Sequence, residues 1–167
     1  MLFAAQLATG RWSSGLLLLV SLVLVLAVAA LGGIGTSGGL HEWYEGLDKA
    51  PWTPPAWVFG PAWTLLYILM AVAAWLVARA GLEQRAVQLA LGLYLAQLAL
   101  NLAWSWIFFG ARAPGWAFLD IVALSILVAL TALAFARVEP IAASLLAPYL
   151  GWLLFAASLN LWVALRN

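Results

Sequence analysis

Five long apolar runs, separated by short polar segments, are the dominant pattern of this chain. Each run contains about the 20 apolar residues that an α-helix needs to cross the hydrocarbon core of a bilayer. The runs extend over about 16–34, 56–77, 86–109, 116–136 and 141–165. None alternates apolar and polar positions as the strands of a membrane barrel do. The pattern predicts an all-α integral membrane protein, a five-transmembrane-helix bundle that forms a single membrane domain over residues 1–167.

The connections between the runs differ in length, and only the first, over about 35–55, is long. From Trp43 to Tyr67 the sequence reads WYEGLDKAPWTPPAWVFGPAWTLLY, with four Trp and four Pro. Its prolines favour stiff, extended backbone. The other end of the loop is expected to be loosened by Gly32, Gly33, Gly35, Gly38 and Gly39. A stiff, indole-rich loop beside a membrane helix predicts a lid over a pocket for a flat hydrophobic ligand, and anchoring at the membrane interface is the competing interpretation.

Composition supports an integral membrane protein and argues against a soluble domain, a nucleic-acid-binding protein and a metal-binding protein. Hydrophobic residues make up 67% of the 167 positions and charged residues 8%, and the mean hydropathy is +1.07. A soluble domain carries roughly a quarter charged residues. The net charge of +1, without a basic patch, argues against a nucleic-acid partner. There is no cysteine, and His41 is the only histidine, so neither a metal site nor a required cofactor is expected.

The third run has two distinct faces when its residues are placed about 100° apart around a helix. One face contains Tyr94, Gln97, Asn101, Ser105 and Phe108. The opposite face contains Gly92, Ala96, Ala99 and Ala103. Amides are costly against lipid, so we expect Gln97 and Asn101 to face a cavity or, alternatively, to bond another helix without a ligand. The small residues permit close approach of a helix from the same chain or from a second copy.

Two further runs carry aromatic faces. The second places Trp63 on a face with Tyr67, about two turns inside the membrane. One arc of the fifth contains Tyr149, Trp152, Ala156 and Asn160. Aromatic rings, a small residue and an amide on one stripe suit a planar, mostly apolar ligand, although plain helix packing is the alternative. Pro148 is expected either to kink this helix or to end the preceding turn.

These motifs resemble the tryptophan-rich sensory protein family, whose eukaryotic members are the translocator protein, or peripheral benzodiazepine receptor. The similar segments, which cover about Trp43–Asn160, are WYEGLDKAPWTPPAW, FGPAWTLLY, QLALNLAWSWIFFG and PYLGWLLFAASLN. The resemblance implies five transmembrane helices, a dimer and the binding of porphyrins, with cholesterol and synthetic drug-like ligands bound by some members. The compact chain favours a multi-pass protein of the bacterial cell membrane over a mitochondrial one.

Carried over to this chain, the resemblance implies a pocket beneath the first loop. Its residues would be Tyr44, Trp52, Trp63, Asn101, Trp104 or Ser105, Trp152 and Ala156. The helix faces add Tyr67, Gln97, Phe108 and Tyr149 as candidates. The resemblance also implies a dimer contact through the small-residue face of the third run. Two departures stand out: Ala50 follows Lys49 where the family has Pro, and Leu161 replaces the Tyr of the animal cholesterol segment, so sterol binding is not expected.

Three functions are compatible with these features. The leading one is a non-enzymatic receptor or sensor that binds tetrapyrroles such as protoporphyrin IX. A transporter of tetrapyrroles or similar amphipathic molecules is the alternative, although no inverted repeat is visible. A light-dependent porphyrin-degrading enzyme using Trp63 and Trp152 is the third, although no nucleophile–base pair or paired carboxylate supports ordinary catalysis. The expected partners are a porphyrin or other hydrophobic small molecule, membrane lipid and a second copy of the chain.

Overall fold

The computed structural model describes residues 13–37 and 43–167. His41 and the rest of 38–42 lie outside the described residues. The α-helices are α1 (Ser14–Ser37), α2 (Phe59–Ala78), α3 (Arg85–Ser105), α4 (Pro114–Ala136), α5 (Pro140–Leu145) and α6 (Ala147–Arg166). A 3₁₀ turn, Ala56–Val58, leads into α2, and a π-helical turn, Trp106–Gly110, continues α3.

Five segments of the described chain are long and apolar enough to cross a membrane, which confirms the predicted architecture. They are Ser14–Ser37, Ala56–Ala78, Arg85–Gly110, Pro114–Ala136 and Pro140–Arg166. The fifth span combines α5 and α6. Its interruption at Leu146 follows from Pro148 in the first turn of α6, because proline has no N–H to donate to the carbonyl four residues before it.

The interior of the bundle forms where α2, α3, α4 and α6 meet. Tyr94 of α3 is fully buried and stacks on Phe135 of α4, with ring centroids 5.9 Å apart. Met70 of α2 and Leu153 of α6 are buried in the same cluster. In lipid, such packing holds helices together by close van der Waals contact, since lipid tails are as apolar as the side chains themselves.

Glycines bring α1 against the end of α3. A Cβ atom on Gly35 would lie 3.1 Å from the ring of Trp106, and one on Gly32 would lie 3.3 Å from the Ser105 hydroxyl oxygen. The expectation that Gly32, Gly33 and Gly35 loosen the first loop is therefore wrong: all three lie inside α1, which continues to Ser37. Gly32 and Gly35 permit close helix contact. The first loop, residues 38–55, begins after α1, and Gly38 and Gly39 lie outside its described part.

Candidate ligand-binding cavity

A cavity of about 790 Å³ lies beneath the first loop, between α1, α2, α3, α4 and α6. Its lining is mostly apolar and aromatic, with a small number of polar groups such as Thr64, Asn101 and Asn160. Small-molecule sites usually measure about 300–1,000 Å³ and have a mostly apolar lining with a few polar groups. The cavity matches them in both volume and lining.

Aromatic rings from three helices form the walls of the cavity. Trp63 of α2 meets Trp152 of α6 edge to face, with centroids 6.4 Å apart, and Phe59 meets the same indole at 5.8 Å. On α3, Trp104 stacks on Phe108 with centroids 5.1 Å apart and an interplanar angle of 19°. Rings that pack on one another lose little freedom when a ligand arrives, which makes the walls preorganised.

A hydrogen-bonded chain of three side chains forms the polar part of the cavity floor. The hydroxyl of Tyr67 donates to Oδ1 of Asn101 at 2.8 Å, and Nδ2 of Asn101 donates to the hydroxyl of Tyr149 at 2.9 Å. Tyr67 and Asn101 line the cavity, whereas Tyr149 is fully buried behind them. A satisfied network in a low-dielectric interior is rigid, so it fixes the relative positions of α2, α3 and α6.

A second network joins the wall to the start of α4. Nε1 of Trp104 donates to Oδ1 of Asn160 at 2.9 Å, and Nδ2 of Asn160 donates to the carbonyl oxygen of Pro114 at 2.8 Å. Asn160 thus links α3, α4 and α6. Because its amide oxygen and nitrogen both have partners, its role at the cavity is to hold the Trp104 indole in place.

The π-helical turn shapes the seat of the first loop. The N–H of Ala111 donates to the carbonyl of Trp106 at 2.7 Å, a bond that closes a wider turn than that of an α-helix. The extra residue in the turn places both Phe108 and Phe109 in the interior. Tyr44 of the loop packs on these two rings, with centroids 6.1 and 5.5 Å away. Burial there raises the pKa of the Tyr44 phenol, so it stays neutral at physiological pH.

The loop is also fastened to the last turns of α6. Nε1 of Trp52 donates to the hydroxyl oxygen of Ser158 at 3.3 Å, and its ring meets Trp162 edge to face at 5.3 Å. The backbone N–H of Asp48 donates to Oδ1 of Asn167 at 3.0 Å. These contacts hold the loop over the cavity and give it the geometry of a lid.

Two charged side chains of the first loop, Glu45 and Lys49, line the cavity. The Lys49 ammonium donates to the backbone carbonyl oxygen of Glu45 at 3.3 Å and lies 4.8 Å from the centroid of the Tyr44 ring. Lys49 is half-buried, while Glu45 is exposed. Among the described lining residues the formal charges therefore belong to the first loop, and the rest of the lining is neutral.

Nine of the twelve ligand-binding candidates meet at the cavity. They are Tyr44, Trp63, Tyr67, Asn101, Trp104, Ser105, Phe108, Trp152 and Ala156. The other three do not line it: Tyr149 bonds Asn101, Trp52 is half exposed and bonds Ser158, and Gln97 is buried with its Nε2 3.9 Å from the sulfur of Met70. On the candidate dimer face, Gly92, Ala96 and Ala99 are exposed and Ala103 is half-buried.

Several residues that line the cavity were not among the ligand-binding candidates, because no sequence feature considered above distinguishes them. The α1 wall consists of Ala29, Gly32, Gly33, Thr36 and Ser37. Ala29, Gly32 and Gly33 fall within the predicted first span, but its glycines are expected there to loosen the first loop and not to bring two helices together. Ile121 and Leu124 of α4 complete the floor. As apolar residues in an apolar span, they cannot be distinguished by sequence from residues that face lipid.

Comparison with known proteins agrees with this architecture. Residues 20–166 match the model of the TspO/MBR family. The chain is 50% identical over 121 residues to the Translocator protein of Homo sapiens, covering 71% of each chain. It is 40% identical over 150 residues to the Tryptophan-rich protein TspO of Archaeoglobus fulgidus, covering 90% of this chain and 96% of that one. It is 42% identical over 136 residues to the Tryptophan-rich sensory protein of Cereibacter sphaeroides, covering 80% and 84% respectively.

Proposed function

The chain belongs to the TspO/MBR family of multi-pass membrane proteins, and on that premise we propose that it is a receptor for porphyrins. Its ligands are tetrapyrroles of the protoporphyrin IX type and other flat hydrophobic molecules, bound beneath the first loop. The observation that carries the proposal is the cavity of about 790 Å³, with Trp63, Trp104 and Trp152 in its walls.

The chemistry of the lining suits such a ligand. A tetrapyrrole is a flat aromatic macrocycle whose polar substituents lie at its edge, so it needs apolar surface for its faces and few polar partners. Rings of Trp63, Trp104 and Trp152 supply that surface. Ala156 leaves space between them, where a larger side chain would fill the cavity. An apolar cavity with convergent aromatic rings binds planar molecules by burial and by ring contact.

Closure of the loop gives the receptor a signal that a partner could recognise. A ligand stabilises whichever state of the loop gives it more contacts, and it shifts the equilibrium by its difference in affinity for the two states. Tyr44, Lys49 and Thr53 of the loop line the cavity, so the closed loop offers more contacts than an open one. Porphyrin binding therefore favours the closed loop. The outer surface of the closed loop, which faces away from the cavity, is the part that a partner would recognise.

The test is a titration of the detergent-purified protein with protoporphyrin IX in the dark, with empty micelles as the blank. Saturable quenching of tryptophan fluorescence is expected, and Trp152→Ala should weaken the affinity about tenfold, as loss of a buried aromatic anchor does. Trp57→Ala is the matched control, because Trp57 is 75% exposed and does not line the cavity. The absence of saturable quenching by the unaltered chain would refute the proposal.

We also propose that two copies pair through α3. Gly92, Ala96 and Ala99 form an exposed stripe on the side opposite Asn101, and a Cβ atom on Gly92 meets no described atom within 4 Å. In a two-fold dimer a residue at the symmetry axis lies near its own copy in the partner, and the centre of the α3 stripe is the position expected there. Since the chain has no cysteine, Ala99→Cys should cross-link in membranes, while Leu133→Cys on the exposed face of α4 should not. Equal cross-linking of both would exclude this contact.

A further inference from the structure

The cavity is not closed to the same degree on every side. Among the described residues that line it, those contributed by α3, α4 and α6 are buried or half-buried. The exposed ones belong to the end of α1, to the first loop and to the start of the second span, and they are Gly33, Ser37, Glu45, Ala56 and Thr64. The exposed part of the lining therefore lies where α1 and α2 approach the loop.

Helix α1 is held by different neighbours at its two ends. Near its start, Nε1 of Trp75 in α2 donates to the backbone carbonyl oxygen of Ser14 at 2.9 Å. Near its end, the close contact is with the π-helical turn that continues α3, where a Cβ atom on Gly35 would lie 3.1 Å from the ring of Trp106. Helix α1 is therefore fastened to α2 at one end and to the end of α3 at the other.

The side of α1 that faces away from α3 is open near the loop. A Cβ atom on Gly33 would meet no described atom of a neighbouring element within 4 Å, and the same is true of Gly60 in the first turn of α2. Both glycines are exposed, and so is Thr64, one turn after Gly60, although its side of α2 lines the cavity. Two helices packed together at this level would bury such small residues, because small residues allow backbones to approach closely.

These exposed positions lie inside the membrane-spanning segments. Thr64 follows Ala56, where the second span begins, by eight positions, or about 12 Å along a helix. Gly33 precedes the end of the first span by four positions, or about 6 Å. The neighbouring side chains Ile34 and Leu65 are 60% and 57% exposed, as apolar side chains are on a surface that faces lipid. Hydrocarbon therefore lies outside this part of the cavity.

The polar groups at this level need no water. The Thr64 hydroxyl donates to the Gly60 carbonyl oxygen at 2.9 Å, and the Thr36 hydroxyl donates to the Gly32 carbonyl oxygen at 3.0 Å. Both bonds stay within one helix, and no hydrogen bond between described residues joins α1 to α2 here. An apolar molecule can pass between these helices without stranding a polar group in the hydrocarbon region.

We infer that α1 and α2 leave a lateral opening from the cavity into the bilayer, bordered by Gly33 and Thr64, and that hydrophobic ligands enter and leave through it from the lipid phase. The ligands are then molecules that dissolve in the bilayer. This inference rests on the proposed porphyrin-binding function and adds the route to its site. The first loop can stay fastened to α6 while a ligand passes, and its Tyr44 and Thr53 still stabilise the ligand once it is bound.

The test places a removable plug in the lateral opening and measures rates. Since the chain has no cysteine, Thr64→Cys supplies a single thiol, which is labelled in micelles with benzyl methanethiosulfonate before reconstitution in lipid nanodiscs. Stopped-flow quenching of tryptophan fluorescence gives the association and dissociation rates of protoporphyrin IX. A plug on the route raises the barriers to entry and exit equally, so both rates should fall about tenfold while Kd changes by less than about twofold. Dithiothreitol removes the plug and should restore both rates.

Three further single-cysteine variants locate the route, each compared with and without its label so that the effect of the substitution itself cancels. Gly33→Cys places the plug on the opposite side of the lateral opening and should also slow both rates. Leu65→Cys, on the exposed face of α2 and outside the lining, is the matched control and should be insensitive to labelling. Glu45→Cys puts the label on an exposed lining residue of the first loop and should leave both rates unchanged.

The contrary outcomes are distinct from one another. If labels at positions 33 and 64 change neither rate, lateral entry is refuted while the receptor function stands. A label at position 64 that raises only the dissociation rate would make Thr64 a ligand contact and would also refute the route. If the label at position 45 slows both rates and that at position 64 does not, the ligand enters beneath the first loop. If protoporphyrin IX does not bind saturably to the unaltered chain, the proposed function fails and the inference fails with it.

Discussion

The indole of Trp52 in the first loop donates a hydrogen bond to the hydroxyl of Ser158 in α6, although 106 positions separate them in the chain. The Ser158 hydroxyl in turn donates to the carbonyl of Phe155 at 2.6 Å, so its oxygen is oriented to accept from the indole. The position of the loop over the cavity therefore depends on a side chain of the fifth span as well as on the prolines of the loop itself.

Removal of this acceptor should loosen the loop. Ser158→Ala leaves the Trp52 indole without its partner, and loss of one such bond is worth about 0.5–1.5 kcal/mol. Bound protoporphyrin IX should then dissociate several-fold faster in a stopped-flow displacement experiment. Ser144→Ala is the control, since that hydroxyl bonds only the Ile141 carbonyl within α5. Equal dissociation rates for Ser158→Ala and the unaltered chain would show that the bond does not hold the loop.

Two amides on one face of α3 should respond oppositely to replacement by leucine. Asn101 bonds both Tyr67 and Tyr149, so Asn101→Leu removes the partner of the half-buried Tyr67 hydroxyl and of the fully buried Tyr149 hydroxyl, and should lower the free energy of unfolding by about 1–3 kcal/mol. The Oε1 atom of Gln97 is buried without a partner among the described residues. Gln97→Leu should therefore raise the thermal midpoint in micelles. A loss of stability for Gln97→Leu as large as that for Asn101→Leu would reveal a bound water on that oxygen.

Two glycines of α1 should differ in their tolerance of alanine. A Cβ atom on Gly35 would meet the Trp106 ring at 3.1 Å, whereas one on Gly33 meets no described atom within 4 Å. Gly35→Ala should lower the free energy of unfolding by about 1–3 kcal/mol, as overpacking does, and Gly33→Ala should leave it unchanged or slightly raised. Thermal unfolding of both variants in the same detergent checks this. Similar midpoints would mean that α1 moves away from α3 at little cost.

A bulky residue at position 156 should close the cavity without unfolding the bundle. Ala156→Phe places a ring among the aromatic walls and should abolish measurable quenching by protoporphyrin IX, while the thermal midpoint changes little because the cavity has room for the ring. Leu154→Phe, on the exposed side of α6, is the matched control and should bind normally. Unchanged porphyrin affinity in Ala156→Phe would place the ligand outside this cavity.

The five spans were predictable because length and apolarity alone decide whether a segment crosses a bilayer. The first, second and fifth runs, for example, each correspond to a helical segment of the structure that is long and apolar enough to do so. The inward direction of Trp63 and Asn101 was also predictable, since helical periodicity places residues on faces. Periodicity gives the direction in which a side chain points, but it does not give whether that side chain reaches the cavity surface or is buried behind it. Tyr149 and Gln97 have the predicted direction, yet they lie behind the cavity surface rather than on it.

Other parts of the site depend on features that a regular helix does not have. The π-helical turn changes the angular spacing of α3, which is why Phe108 and Phe109 are both buried although they are consecutive in the chain. The contribution of α1 depends on which neighbour its glycines meet, and the contact of Trp52 with Ser158 depends on the assembled bundle. Tertiary contacts of this kind leave no periodic trace in the sequence.

The fastening of the loop to α6 also fixes an order of events during biosynthesis. The ribosome completes the loop long before Ser158 and Trp162, so the early chain presents Trp52 without either partner. Only insertion of the fifth span supplies them, together with Trp152 and Ala156 of the cavity wall. A nascent protein with four spans in the membrane therefore lacks part of the cavity wall, and the cavity is complete only after the last of these helices has entered the bilayer.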